Sequence, residues 1–307
     1  MLDRFSTVGY SRDSKKVNIA FERNLGSINL TPSKTVSSPR RTAKNPRKET
    51  TFKVEKEIAR TSSFIRSQVS KSHTSGVVVG ISGGIDSAVV ASLCSIALGS
   101  RKVLGVFLFE ERSRKSQDLL DASAVAKNLG IKTLNLSITP AVDAFLQLLE
   151  SGGCKVSRLT LANIKARTRM VILYALANER NLLVAGTGDR SESLVGYFTK
   201  YGDGGVDILP IGHLYKTEVR ALGSALRVPY NVVIKPSSPN LWPGHKAVHE
   251  LPADYDLLDR VLTMVFDSKK SLRAVRKQSG ASEDIIQEVI KLNTVSKHKR
   301  QLPASVT

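Results

Sequence analysis

The chain has 307 residues, 41% hydrophobic and 24% charged, enough for one large buried core and unlike a disordered or fibrous composition. Apolar runs such as Val103 to Phe109 fall well short of the ~20 residues that span a bilayer, and no leader-type apolar segment follows Met1. Two cysteines, Cys94 and Cys154, with no CxxC pair, exclude a disulfide framework and a cysteine zinc site and predict a reducing, cytoplasmic setting. The net charge of +19 favours polyanionic partners, from nucleic acid to nucleotides.

Residues 1 to about 48 read as a disordered basic arm. The first fifty residues carry 11 Lys or Arg against 4 Asp or Glu, and the stretch TPSKTVSSPRRTAKNPRKE has no apolar period. A helix is expected from about Thr51 to Ser70, then a strand at Gly76 to Ile81, a short β-branched apolar run suited to a central parallel strand. After a glycine turn, Asp86 to Leu98 reads as a helix and Val103 to Phe109 as a second strand. Leu119, Ala122, Ala126 and Leu129 share a helical face. Ile131 to Leu136 is a third strand, and Ala141 to Glu150 a helix. A long helix from about Leu159 to Arg180 puts Leu161, Ile164, Val171 and Ala175 on its expected buried stripe. Asn181 to Thr187 is a fourth strand, and a helix from about Lys216 to Leu226 ends before Pro229. Strand and helix alternate, which predicts a doubly wound, Rossmann-like α/β fold on a parallel sheet, with ligands at the carboxyl ends of the strands.

The chemistry therefore belongs in the turns after the strands. The first strand runs into GISGGIDSAVV. Gly83 and Gly84 permit a tight turn and close approach of a ligand to the backbone. Ser82, Asp86 and Ser87 add hydroxyls and a carboxylate, and the following helix aims its free N–H groups at the turn. The string lacks the lysine of a Walker loop, yet the whole Ser-Gly-Gly-x-Asp-Ser pattern points to pyrophosphate binding through Gly80, Ile81, Ser82, Gly83, Gly84, Ile85, Asp86 and Ser87.

This string resembles the signature of the N-type ATP pyrophosphatases. Further blocks, NIKARTRM (Asn163 to Met170), GTGDRSE (Gly186 to Glu192), GYFTKYGDGGVDILPIGHLYKTEVR (Gly196 to Arg220) and HKRQLPAS (His298 to Ser305), resemble the NAD synthetases in family order over about residues 51 to 305. The resemblance implies an adenine nucleotide alpha hydrolase-like, five-stranded parallel sheet flanked by helices, with residues 49 to 307 as the enzyme domain and the C-terminal tail completing the substrate site. It implies a ligase that adenylates the nicotinate carboxylate of deamido-NAD with ATP and amidates it with ammonia. By this resemblance Thr187, Lys216 and Ser238 contact ATP, and Asp86 and Glu192 hold Mg2+. Arg167, Lys200, Asp207, His298 and Lys299 contact deamido-NAD, the tail residues often from a neighbouring subunit of a homodimer. Asp86 and Lys216 are then catalytic, and Asp207 is a candidate, by chemistry alone, for taking a proton from ammonium. No membrane or nucleic-acid partner is expected despite the charge.

One segment departs from the pattern. LWPGHKAVHELP, Leu241 to Pro252, stands where the family usually carries LWPGQTDEEELG. Ala247 and Val248 replace an Asp-Glu pair, His245 replaces Gln, and Pro239 replaces a small residue; His249 and Glu250 are the nearest substitutes. The first fifty residues are too few for the nitrilase-like domain that releases ammonia from glutamine in larger members, so free ammonia is the expected donor. The rival readings are a tRNA-modifying member of the same superfamily, suggested by the charge, and a nucleotide-binding homologue impaired in catalysis, suggested by Ala247 and Val248.

Overall fold

The computed structural model describes residues 52–238, 247 and 250–306. The basic arm and Pro239, His245, Val248 and His249 lie outside these residues. Helix α1 (Val54–Lys71) leads into strand β1 (Gly76–Gly80). β1 pairs in parallel with β2 (Val103–Phe109) on one side and with β4 (Leu182–Val184) on the other. β3 (Lys132–Ser137) pairs with β2, giving the order β3-β2-β1-β4. A central strand must be apolar on both faces, and Val77, Val78 and Val79 are all fully buried. Their side chains alternate: Val77 and Val79 enter one core, and Val78 joins Leu104, Val106 and Val184 in the core on the opposite face.

The first core is covered by α1, α2 (Ile85–Leu98), α3 (Gln117–Leu129) and α7 (Lys216–Ala225). α4 (Thr139–Ser151) packs on α5 (Arg158–Arg180), and α5 covers the opposite face against β1 and β4. α5 begins at Ser157, whose hydroxyl accepts the Thr160 N–H, and stops at Asn181, whose φ of 52° only a left-handed cap position takes readily. The chain steps outward from β1 to β2 to β3 and then returns to β4 on the other side of β1. That reversal is a topological switch point, and sheets of this kind take their ligands at the carboxyl ends of the strands flanking it, here β1 and β4.

Two expectations are corrected. The sheet has four strands among the described residues, not five. Where a fifth would pair with β4, a single bridge joins Ala185 to Ile208. The Asp207 carboxylate, not a backbone carbonyl, takes the Val184 N–H at 2.7 Å, and Pro210, three residues further on, has no N–H for a ladder. The stripe assigned to the core on α5 is the wrong face. Ala162, Lys165, Ala166, Thr168 and Ala177 are buried, while Leu161 and Ile164 are half-buried and Val171 and Ala175 are exposed. The apolar period is real, but it does not point at this chain's own core.

Beyond the sheet, α6 (Arg190–Val195), α9 (Tyr255–Leu262), α10 (Leu272–Ser279) and α11 (Glu283–Val295) enclose a separate apolar cluster that includes Leu258, Val261, Leu262, Val275, Ile286 and Val289. Asp254, Ser271 and Ser282 cap α9, α10 and α11 with their side chains. The short α8 (Tyr230–Val233) follows α7 and buries Val232 and Val233 in the first core. No described helix is long and apolar enough to cross a membrane.

Candidate active site

β1 ends at Gly80, and the chain turns through Ile81, Ser82, Gly83 and Gly84 into α2. Gly83 has φ +83°, and a Cβ there would lie 2.1 Å from the Asp118 carbonyl oxygen. Glycine is required at that point both by conformation and by space. The buried Ser87 hydroxyl donates to the Gly84 carbonyl at 3.0 Å and accepts the Ser82 N–H at 3.2 Å. The Gly84 N–H donates to Ser82 Oγ at 3.3 Å. These bonds hold the turn from inside. α2 starts with no side-chain cap, so the N–H groups of its first turn face the turn, an arrangement suited to an anion.

Beside the turn lies a cluster of charge. The Lys216 side chain has no exposed surface, and its ammonium is 2.7 Å from Asp86 Oδ2, 3.0 Å from Asp189 Oδ2 and 3.0 Å from Glu192 Oε1. The Tyr255 ring centroid is 5.2 Å away. Each of these residues stands at the start of a helix. Asp86 is in the first turn of α2, Asp189 caps α6, Glu192 is in the first turn of α6, and Lys216 and Tyr255 open α7 and α9. Asp189 and Glu192 form a reciprocal capping box that fixes both carboxylates. Asp259 ties the ends together: it accepts from the Ser191 hydroxyl at 2.6 Å and from the Thr217 N–H and hydroxyl at 2.9 Å each.

The electrostatics are unbalanced. Burial, and then the neighbouring negative charge, push the Asp189 and Glu192 carboxyls above the usual range, with Lys216 holding them back. Burial alone would lower Lys216, but Asp86, Glu192 and Asp189 outweigh it and hold the ammonium well above its ordinary value. Three carboxylates thus share one ammonium. Asp86 Oδ1 is buried with no hydrogen-bond partner, and Asp189 Oδ2, though near the ammonium, receives no well-aimed hydrogen. Among the described residues no group of three or more Asp, Glu, His or Cys is arranged to hold a metal ion by itself, so a cation here would need oxygens from a ligand as well.

The structure brings together the turn Gly80 to Ser87, Glu192 and Lys216. Thr187 follows β4 two residues before Asp189, and Ser238 lies three residues after Lys235, beyond α8. The residues predicted to meet deamido-NAD gather elsewhere, around the turn 196–203. Arg167 Nε donates to the Lys200 carbonyl at 3.3 Å, and Lys200 lies over the Tyr201 ring. Lys299 Nζ donates to the Gly196 and Phe198 carbonyls at 2.8 and 2.9 Å. His298 is exposed in the turn Lys297–Lys299. Asp207 stands apart from Lys216, its carboxylate accepting from the Val184 N–H and, at 3.0 Å, from the Tyr174 hydroxyl. Ala247 is buried, its N–H donating to the Ser237 carbonyl, and Glu250 accepts from the Tyr197 hydroxyl at 2.7 Å.

Sequence reasoning missed Asp189, Tyr255, Asp259 and Arg300. Asp189 had a signal, the Asp-x-x-Glu spacing of a helix start in GTGDRSE. Tyr255 and Asp259 come from a helix that pattern reading did not identify. Arg300 donates to the Ser193 carbonyl at 2.8 Å, and its position beside His298 and Lys299 was the only hint.

A family model described as NAD synthase matches residues 57–303. The chain is 44% identical over 240 residues to the NH3-dependent NAD+ synthetase of Hyperthermus butylicus, covering 78% of this chain and 86% of that one. It is 48% identical over 241 residues to the enzyme of the same name from Pyrobaculum aerophilum, covering 78% and 88%. Among solved structures, the NMN synthetase of Francisella tularensis superposes with a TM-score of 0.73 at 32% identity, over 83% of this chain and 99% of that chain. The NH3-dependent NAD synthetase of Campylobacter jejuni gives 0.70 at 30%, with the same coverage. The glutamine-dependent NAD+ synthetase of Acinetobacter baumannii gives 0.58 at 26%, over 87% of this chain but 49% of that chain.

Replacing Lys216 with Met removes the cation that three inward-facing carboxylates share. The expected loss is about 3–5 kcal/mol of stability at neutral pH, read by urea unfolding, and Glu192→Gln in the same background restores part of it. A loss under about 1 kcal/mol would show the carboxylates to be hydrated and not dependent on the ammonium.

Proposed function

We propose, from the premise that this chain belongs to the NAD synthase family, that the charged cluster around Lys216 and the adjoining glycine turn form the active site of an AMP-forming ligase that completes NAD. The observation that carries this reading is the meeting of an uncapped glycine turn with a buried lysine and three carboxylates, one donated from the helix that the turn begins. The turn and the helix start would take the β- and γ-phosphates of ATP, with Thr187, Lys216 and Ser238 as further contacts.

The reaction needs activation, because a carboxylate attacked by an amine would have to expel oxide. A nicotinate oxygen of deamido-NAD attacks the α-phosphorus of ATP, and the bond to the bridging oxygen breaks to release pyrophosphate. Ammonia then adds through its lone pair to the acyl carbon, AMP departs with the electrons of the carbon–oxygen bond, and a proton is lost. ATP and the carboxylate repel each other, so the site must offset negative charge while holding the two in line. Lys216 and the N–H groups of the turn supply part of this. Asp86, with a buried unpartnered oxygen, and Glu192 fit the hard oxygen coordination of Mg2+. Magnesium held there would neutralise charge on the departing pyrophosphate.

Arg167, Lys200, His298 and Lys299 form the proposed deamido-NAD side, around the turn 196–203. With Val184 and Tyr174 engaging its carboxylate, Asp207 is assigned to holding that turn in place against β4. The C-terminal tail belongs to the same domain, since Lys299 and Arg300 donate to carbonyls at the end of α6 and just beyond it. Free ammonia is the proposed nitrogen source, supported by the 44% and 48% identity to relatives described as NH3-dependent. We place the reaction in the cytoplasm, and we assign the molecule to a homodimer. The outward stripe of α5, with Val171 57% exposed, and Phe145 and Leu148 on α4, 48% and 69% exposed, support a second copy packing there.

An assay with ATP, magnesium, ammonium and deamido-NAD should yield NAD and AMP in equal amounts. Asp86→Ala should lose about 100-fold or more in rate while its unfolding midpoint stays close to that of the parent. Wild-type turnover in that variant would overturn the metal assignment, and a parent that forms no AMP would overturn the reaction. Nicotinate mononucleotide should be a much poorer substrate, and equal rates would remove the adenosine half from the recognition scheme. In sedimentation the parent should run as a dimer and Val171→Glu as a monomer; a monomeric parent sinks the assembly proposed.

A further inference from the structure

The phosphate turn is held from behind as well as from inside. Lys235 Nζ donates to the Gly83 carbonyl at 3.1 Å and to Asp118 Oδ1 at 2.9 Å, and it pairs closely with Asp121. Asp121 is buried on α3 and also accepts from Gln117 and Asn231, both at 2.8 Å. One ammonium therefore joins three segments: the turn, the start of α3, and the residues after α8. Burial disfavours its charge, yet the hydrogen bonds it donates to Asp121 and Asp118 hold it above the ordinary lysine value.

The consequence follows from peptide geometry. A trans peptide points its C=O and its N–H in opposite directions. With the Gly83 carbonyl turned onto Lys235, the Gly84 N–H must face the other way, to the side where it meets Ser82 Oγ. Gly83 could turn over readily, because glycine has little preference between the two orientations. A turned-over peptide would place a carbonyl oxygen where an anion is to bind. The same lysine begins the segment Pro236 to Ser238. Ser237 accepts the Ala247 N–H, and its hydroxyl is buried without a partner.

We infer that Lys235 is a positioning residue for nucleotide binding: it fixes the Gly83–Gly84 peptide with its N–H toward the phosphates and couples that setting to the segment carrying Ser238. The inference rests on reading Ser82 to Ser87 as the phosphate turn. Lys235 touches the back of the turn and is given no part in the chemical steps.

The test compares the full-length enzyme with Lys235→Met and Lys235→Arg, measuring steady-state kinetics and calorimetric binding of magnesium–ATP in the absence of deamido-NAD. The methionine variant should weaken ATP binding and raise the KM for ATP by about tenfold or more, the scale of a lost charge-assisted hydrogen bond. The KM for deamido-NAD should stay within about twofold, as expected of a site not touched. The arginine variant should recover much of the ATP affinity. Lys235→Gln, shorter but still a donor to the aspartates, carries the same comparison where the methionine variant does not fold. A lysine that only ties the fold together would lower the unfolding midpoint and depress both substrates alike, and that result overturns the inference. So does unchanged ATP affinity in a variant of a parent that binds ATP. A parent that binds no ATP would instead overturn the reading of the turn itself, along with everything built on it.

Discussion

The site depends on one buried ammonium. Lys216 is surrounded by Asp86, Asp189 and Glu192, which come from two different helices. Left alone, three inward-facing carboxylates would repel one another and resist burial. Lys216 lets them coexist, and the first turns of α2, α6, α7 and α9 add their partial positive ends to the same place. The balance remains short of positive charge. In the proposed reading, a divalent cation bound with phosphates would offset that excess of negative charge. That is the requirement of a reaction in which charge moves from an α-phosphate to a leaving pyrophosphate.

Two cores serve this arrangement. The sheet and its covering helices set α2, and with it the glycine turn and Asp86, at the end of β1. The C-terminal cluster holds α6 and α9, which bring Asp189, Glu192 and Tyr255 to meet them. α7 carries the lysine between the two and is locked at its start by Asp259. Lys235 does for the backbone of the turn what Lys216 does for the carboxylates. Each cation orders groups that would otherwise choose other orientations.

Much of this was legible before any coordinates. The β-branched run at Val77 to Val79 announced a central strand, and the paired glycines of the Ser-Gly-Gly-x-Asp-Ser string announced the tight turn that follows it. Ser157 and Asn181 bracket the long helix within a residue or two of where its pattern ends. What stayed hidden did so for physical reasons. The apolar stripe of α5 has the right period, but periodicity reports that a face is to be covered and says nothing of what covers it. The fifth strand failed because a side-chain carboxylate can satisfy a ladder N–H as well as a backbone can. The C-terminal helices were signalled by Asp254, Ser271 and Ser282, yet such caps mean little without a partner surface to compare. Lys235 could not be found at all, since its role exists only between segments more than a hundred residues apart in sequence.

The substitution of Asp207 for a strand has a second effect. A sheet edge with open N–H and C=O groups is a template for another molecule's strand. At β4 that template is closed: the Asp207 carboxylate takes the Val184 N–H, and the backbone N–H groups of Asp207 and Ile208 both donate to the Val184 carbonyl. At the opposite border, β3 begins with an exposed lysine, Lys132, a charge that discourages stacking by foreign strands. Both margins of the sheet thus carry a feature that disfavours the addition of a foreign strand, a closed ladder at β4 and a charge at the start of β3.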